Sequence, residues 1–197
     1  QLMNEGGITN RLFSLASVIV GHFPGGLAHV NCLASFLLGG MSGSSSGDVA
    51  ATTKTLVPEM VKRGYAKAFS CAITAASAIL SNLVPPSIML MVYASVAEES
   101  VGRLFLAGVL PAVALTISLM ACAHSISVKR NYKGVERKAN KKEVIHEAKQ
   151  AMWALPMPVI ILVGIRYGIT TPTEAAAVAV AYALFVGMFI YREIKPS

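Results

Sequence analysis

The chain has 197 residues, of which 54% are hydrophobic and only 14% charged, with a mean hydropathy of +0.60 and a net charge of +7. Soluble domains carry roughly 25% charged residues, so the apolar excess is too large for one aqueous core and points to lipid. The long apolar runs do not alternate polar and apolar residues as barrel strands do, which leaves a polytopic, all-α transmembrane protein as the expected fold class.

Residues 1–24 open on Met3-Asn4-Glu5-Gly6-Gly7, which reads as a loop already under way. Ile8–Phe23 follows, moderately apolar and carrying Arg11 and His22. It reads either as the end of a span or as an interfacial segment. Pro24-Gly25-Gly26 then breaks the chain.

Leu27–Leu38 is an apolar run of twelve residues. Runs of about 10–14 suit a re-entrant or buried segment better than a full span. It leads into Gly39–Gly47, Gly-Gly-Met-Ser-Gly-Ser-Ser-Ser-Gly, where eight of nine positions are Gly or Ser. A second helix, Asp48–Arg63, ends in Lys62-Arg63-Gly64. Residues 25–64 are therefore expected to form a hairpin that enters the membrane and leaves on the same side. Asp48 directly after the tip has two readings that can hold together. It is an intramembrane acid and so a functional candidate. It is also a favoured N-cap for the helix Val49–Val61. Lys54 is expected to snorkel.

Residues 65–99 begin with a helix rich in Ala and Ser, Tyr65–Leu80, whose small side chains favour close packing in lipid. Ser81-Asn82-Leu83-Val84-Pro85-Pro86-Ser87 interrupts it, because residues that precede proline are steered out of α geometry. Ser87–Val96 resumes as a short helix. Irregular backbone at membrane depth survives only where protein or a wet cavity surrounds it. Paired interruptions are the sequence mark of a transporter's ion and substrate site.

Within residues 100–128, Leu104–Val128 runs for 25 residues without an Asp, Glu, Lys or Arg, and about 20 suffice to span. Pro111 lies inside it. Residues 129–149 carry eight Lys or Arg against three Glu. Placed directly after a span, this tract is a cytoplasmic loop under the positive-inside rule and not a nucleic-acid surface. Residues 150–197 hold two further spans, Gln150–Gly168 and Pro172–Tyr191. Between them Thr171-Pro172-Thr173-Glu174 has the pattern of a helix cap. Basic clusters at Lys62-Arg63, at residues 129–149 and at Arg192 and Lys195 all fall on one side. Cys32, Cys71 and Cys122 lie in apolar segments without metal-ligand spacing and are expected to be buried free thiols.

An alkali cation needs several oxygens and little full charge. The tip offers Ser42, Gly43, Ser44 and Ser45. The break offers Ser81, Asn82 and Pro85, where proline leaves carbonyls without amide donors. Asp48, Pro86 and Ser87 are candidates for the substrate side. No catalytic residue and no organic cofactor are expected, and the chain is not read as an enzyme. Gly40-Met41-Ser42-Gly43 does fit the G-x-S-G pattern of rhomboid-type intramembrane proteases, with Ser42 as nucleophile. Such matches arise by chance in Gly/Ser runs, and a serine nucleophile needs a base. His124 sits on a span near the opposite end, and no histidine is well placed.

Several blocks together carry a family likeness: Leu2-Met3-Asn4-Glu5-Gly6-Gly7-Ile8-Thr9, Gly26-Leu27-Ala28-His29-Val30-Asn31, Gly39–Asp48, Val84-Pro85-Pro86-Ser87-Ile88 and Thr171-Pro172-Thr173-Glu174-Ala175-Ala176-Ala177. In this order they resemble the large permease subunit (DctM-like) of tripartite ATP-independent periplasmic (TRAP) transporters. The resemblance implies an elevator-type secondary transporter built on inverted repeats, in a bacterial inner membrane, multi-pass. It implies Na⁺ as coupling ion and an organic anion such as a C4-dicarboxylate or sialic acid as substrate. It further implies a periplasmic binding protein that delivers the substrate and a small membrane subunit that braces the scaffold. The family's first cation site would map onto Ser42–Ser45 and Ser81–Pro85. The family's large subunit is longer, with a second hairpin and second broken helix, so the chain is expected to be a fragment covering the first repeat and adjoining scaffold helices. The membrane subunit of an ATP-driven permease is the nearest other transporter class. The P-loop pattern is absent from this chain, but such a subunit would not need one.

Overall fold

The computed structural model describes residues 7–134, 140–154 and 156–191. The opening Leu2–Gly6 block, residues 135–139 of the basic tract and Arg192–Lys195 lie outside the described residues. Every regular element among those described is helical. In chain order these are α1 (Ile8–Val20), α2 (Gly26–Ser42), α3 (Ser45–Lys62), α4 (Lys67–Ala78) with a 3-10 turn at Ile79–Asn82, α5 (Ile88–Val96), α6 (Val101–Lys129), α7 (Lys141–Ala151), α8 (Pro156–Arg166) and α9 (Pro172–Phe185), which runs into a π turn at Val186–Ile190.

Helix α2 is the hub. It packs against α1, α3, α4 and α6, and its buried residues run from Gly26 to Met41 around most of its circumference. A helix that is apolar on all sides belongs inside other protein. Two cores meet on it. One joins Ile8, Leu12 and Ala16 of α1 with Val30, Ala34 and Leu38 of α2 and with Met157, Ile161, Ala175 and Ala179 of α8 and α9. The other joins Leu27, Ala28 and Cys32 of α2 to Met60, Tyr65, Phe69, Ile73 and Ala123. Helix α1 is 13 residues, about 20 Å long, and is packed into the first of these cores.

The chain departs from its sequence reading in four places. First, the hairpin turn is much tighter than the Gly/Ser run. Helix α2 continues through Gly39 and Gly40 to Ser42, and α3 restarts at Ser45, so only Gly43 and Ser44 are non-helical. Glycine lowers helix propensity by only about 1 kcal/mol, which burial of α2 outweighs. Second, the basic tract is not wholly a loop. Asn140 and Glu143 form a capping box for α7, whose inner positions Val144, Ala148 and Ala151 recur at helical spacing and lie against α1. Third, the expected span Gln150–Gly168 is not one straight helix: α8 covers 11 residues and follows α7 at a bend of 46°, and the two together are long and apolar enough for one broken span. Among the described residues, Val101–Lys129 is the one single helix long and apolar enough to cross a membrane. Fourth, Cys32 is buried, but Cys71 and Cys122 are exposed on α4 and α6.

Helix α9 begins as the sequence indicates, with Thr171 as N-cap, Pro172 in the first turn and the Glu174 carboxylate accepting from the Thr171 N–H at 2.7 Å. Its far end is tied down by tyrosines. The Tyr182 hydroxyl donates to the Trp153 carbonyl at 2.8 Å and that of Tyr191 to the Gln150 carbonyl at 2.6 Å. The Arg11 guanidinium lies 3.8 Å from the centre of the Tyr191 ring, which fastens α1 to the same end.

Candidate functional site: hairpin tip and broken helix

Helix α4 loses its regular backbone where proline removes the donors. In an α-helix the carbonyls of Ser81 and Asn82 would accept from residues 85 and 86, and both are proline. The chain tightens into the 3-10 turn Ile79–Asn82 and then runs irregularly to Ser87. The Ser87 hydroxyl repairs part of the damage. It accepts from the Leu90 N–H at 3.2 Å as N-cap of α5 and donates to the orphaned Asn82 carbonyl at 2.6 Å.

The hairpin tip lies directly on this break. The Gly43 carbonyl accepts from the Ile88 N–H at 3.3 Å. Gly43 has φ +58°, and a Cβ there would collide with the Pro86 carbonyl. A Cβ on Gly39 would stand 2.8 Å from Ser81 Cα. Both glycines therefore permit a main-chain approach that any side chain would block. On the outer side of the tip, Ser44 caps α3. Its hydroxyl accepts from the Gly47 N–H at 3.4 Å and lies 3.1 Å from the Ser46 hydroxyl. The Ser44 N–H donates to the Ser42 hydroxyl at 3.4 Å.

Ser44, not Asp48, is the N-cap, and this corrects the capping role expected of Asp48. The helix starts three residues earlier than its apolar pattern suggests, so Asp48 falls within its first turns and points inward. It is 2% exposed. One carboxylate oxygen accepts from the Ser81 hydroxyl at 3.1 Å, and the other is buried beside the Ser35 hydroxyl, short of good hydrogen-bond geometry. Buried polar atoms are almost always paired, and an anionic oxygen left incompletely paired in a closed site is costly. An atom in that condition is what a cation site would use.

The expected site residues thus divide. Gly43, Pro86 and Ile88 meet through main chain, and Ser81 meets Gly39 and Asp48. Ser42 and Ser45 are half-buried at the tip. Pro85 is buried in the break and Asn82 half-buried. Ser87, proposed for the substrate side, has its hydroxyl committed to Asn82 and Leu90. Lys54 is exposed on α3. For Ser42 as a nucleophile the geometry is unfavourable. His29 lies thirteen positions upstream on α2, about 20 Å along the axis, and His124 is beside His29, with ring centres 5.8 Å apart.

Behind the tip runs a buried polar ladder that the sequence reading did not single out. The Asn31 amide donates to the Thr74 hydroxyl at 2.6 Å, the Ser77 hydroxyl donates to the Asn31 amide oxygen at 3.0 Å, and the Ser35 hydroxyl donates to Ser77 at 3.2 Å. All four residues are buried. The ladder zips α2 to α4 and ends at Ser81 and Asp48. Its signal was present in the sequence. Ser70, Thr74, Ser77 and Ser81 recur at i, i+4, i+7 and i+11, a hydroxyl stripe on one helical face, opposite Asn31 and Ser35 at i and i+4.

Comparison with known proteins places the sequence in a family. Residues 1–197 match the sequence model of the family described as "Tripartite ATP-independent periplasmic transporter, DctM component". The chain is 42% identical over 193 residues to a sialic acid TRAP transporter permease protein, SiaT, of Haemophilus influenzae, covering 98% of this chain and 31% of that protein. It is 44% identical to the sialic acid TRAP transporter large permease protein SiaM of Vibrio cholerae, over 98% of this chain and 45% of that protein. It is 42% identical to the C4-dicarboxylate TRAP transporter large permease protein DctM of Pseudomonas aeruginosa, over 99% of this chain and 45% of that protein. The chain therefore spans less than half the length of these curated relatives.

Proposed function

This chain belongs to the DctM component family of tripartite ATP-independent periplasmic transporters, and from that membership and the geometry of the tip we propose that it forms one cation-binding half of a Na⁺-coupled organic-anion permease. The family is membrane-embedded, and its named members are permeases for substrates that include sialic acid and C4-dicarboxylates. We assign this chain the same class of cargo, an organic acid, in a bacterial inner membrane. A periplasmic binding protein and a small membrane subunit are its partners in this reading.

The observation that carries the reading is the buried Asp48 carboxylate between Ser81 and Ser35, with one oxygen incompletely hydrogen-bonded, set under a tip whose glycines bring main chain against the proline break. Ser81 carries a carbonyl without a helical donor. In this reading Ser42, Gly43, Ser44, Ser45, Asn82 and Pro85 are the further candidate oxygen donors, although the Gly43 and Asn82 carbonyls already accept from Ile88 and Ser87 and the Ser44 hydroxyl caps α3. A Na⁺ ion held there as co-transported cargo would neutralise Asp48 and clamp the tip to the break. The clamped tip then presents the main chain around Pro86 and Ser87 toward an anionic substrate. In the elevator reading the hairpin and broken helix move together, because the polar ladder and the Gly43–Ile88 bond join them into one unit.

The test is uptake by the full-length permease with its partners in proteoliposomes. Uptake is expected to require an inward Na⁺ gradient and to ignore ATP. Asp48→Asn keeps an acceptor for Ser81 but removes the charge, and it is expected to raise the Na⁺ concentration for half-maximal uptake by roughly tenfold, the equivalent of about 1.4 kcal/mol. Full-rate uptake in sodium-free buffer would sink the coupling. An unaltered Na⁺ response in Asp48→Asn would remove that carboxylate from the site.

A further inference from the structure

A second feature lies at the opposite end of α4, where the chain gathers its cations. Helix α4 starts at Lys67 and α6 ends at Lys129, and the two ends are held side by side. The Ala66 N–H donates to the Tyr132 hydroxyl at 3.0 Å, and the Tyr65 hydroxyl donates to the Lys133 carbonyl at 3.3 Å. Tyr132 stacks on Tyr65, ring centres 4.4 Å apart, and tilts against Phe69 at 5.5 Å. Below this aromatic clasp α4 and α6 leave a cleft of about 450 Å³ lined by Ala68, Phe69, Ala72, Ile126, Lys129 and Arg130. We propose that this cleft is a binding site for an anionic phospholipid, whose phosphodiester lies between Lys129 and Arg130 and whose acyl chain lies on the apolar floor.

Three observations carry it. The first is depth. The uncharged stretch of α6 is 25 residues, about 37 Å at 1.5 Å per residue, against a hydrocarbon thickness of about 30 Å. Lys129 and Arg130 thus reach headgroup level, while Ile126 sits one turn deeper. On α4, which starts at the same end, Ala68 lies one residue past Lys67 and Ala72 one turn deeper. The second is charge. Lys62, Arg63, Lys67, Lys129, Arg130 and Lys133 share this end of the molecule. Among the described residues neither Lys129 nor Arg130 is ion-paired, and the nearby Glu59 carboxylate is taken by Arg63 at 2.9 Å. Arg130 only leans on the Tyr132 hydroxyl at 3.5 Å. Basic pockets between transmembrane helices are suited to anionic headgroups. The third is the floor. Ala68 and Ala72 are exposed and Ile126 is 37% exposed, and methyl groups there offer a free phosphate ion nothing, whereas an acyl chain buries them.

This site is independent of the sodium reading and rests only on the chain's place in a membrane. It is tested on the full-length permease, delipidated in mild detergent and offered phosphatidylglycerol or phosphatidylcholine, with bound lipid counted by native mass spectrometry. The unaltered protein is expected to retain phosphatidylglycerol in preference to phosphatidylcholine. Lys129→Gln with Arg130→Gln, both exposed, is expected to weaken that retention roughly 30-fold, as two cations beside an anionic headgroup require. Arg63→Gln, at the same end but outside the cleft, is expected to leave retention unchanged. Ala72→Trp, which fills the floor and keeps both cations, is expected to lose it. Retention unaltered in the double variant overturns the proposal. So does displacement of the lipid by an equal concentration of glycerol 3-phosphate, which would make this a soluble-phosphate site. An unaltered protein that takes up no phosphatidylglycerol also overturns it, and would mean that another protein segment covers the cleft.

Discussion

Gly43 and Gly64 both hold positive φ, at +58° and +85°, yet their surroundings differ completely. A Cβ on Gly43 would meet the Pro86 carbonyl, whereas nothing lies within 4 Å of one on Gly64. The left-handed conformation costs an L-residue roughly 1–2 kcal/mol, so Gly64→Ala is expected to lower thermal stability slightly and leave uptake intact. Gly43→Ala adds a collision that separates the tip from the break. It is expected to abolish uptake while the protein still inserts and purifies as a folded monodisperse species. Equal uptake in both variants would show that close contact at the tip is dispensable. The composition of the Gly/Ser run suggested a hairpin tip of up to nine residues. Only the packing reveals that two residues make the turn and that Gly39 serves close approach and not flexibility.

Elements in this chain are joined by polar side chains as much as by apolar ones. Helices α2 and α4 present Asn31, Ser35, Thr74 and Ser77 to each other because lipid gives little drive for apolar helix faces to associate, and interhelical hydrogen bonds add specificity. A double-mutant cycle on Asn31→Ala and Thr74→Ala is expected to show coupling of about 0.6–1.7 kcal/mol in unfolding free energy. Additive losses would mean that the two helices are held by shape alone. Helix α7 teaches the converse. Its charges suggested a loop, but Asn140 and Glu143 cap it, and Ala148 and Ala151 join it to the core that contains α1. A high charge count on the outer face outweighed a capping signal and a helical spacing that were both readable.

At the scale of the whole molecule, the tip and the break form one compact junction, while the clasp of Tyr65, Phe69 and Tyr132 closes the other end of α4. The junction is reachable by experiment. In the full-length permease, cysteines introduced by Ser44→Cys and Asn82→Cys are expected to react with a membrane-impermeant maleimide several-fold more slowly in Na⁺ than in choline. A cysteine at exposed Lys54 should react alike in both. Labelling of all three at one rate, whatever the cation, would place the tip in open water. The exposed Cys71 and Cys122 must first be replaced.

The order of residues alone established a helical membrane chain, the two interruptions and the cap of α9, because each follows from local chemistry: hydropathy over a span's length, proline without a donor, a Thr and a Glu three positions apart. It also carried the family, through blocks whose order is specific. Where local signals compete, contact decided. Asp48 became a buried acid and not a cap because Ser44 starts the helix earlier and Ser81 lies opposite. The expected span at 150–168 is bent, with α8 following α7 at 46°. Two cysteines read as buried came to face outward. In each case the free energy is set by which surfaces meet, and no stretch of sequence records its partner.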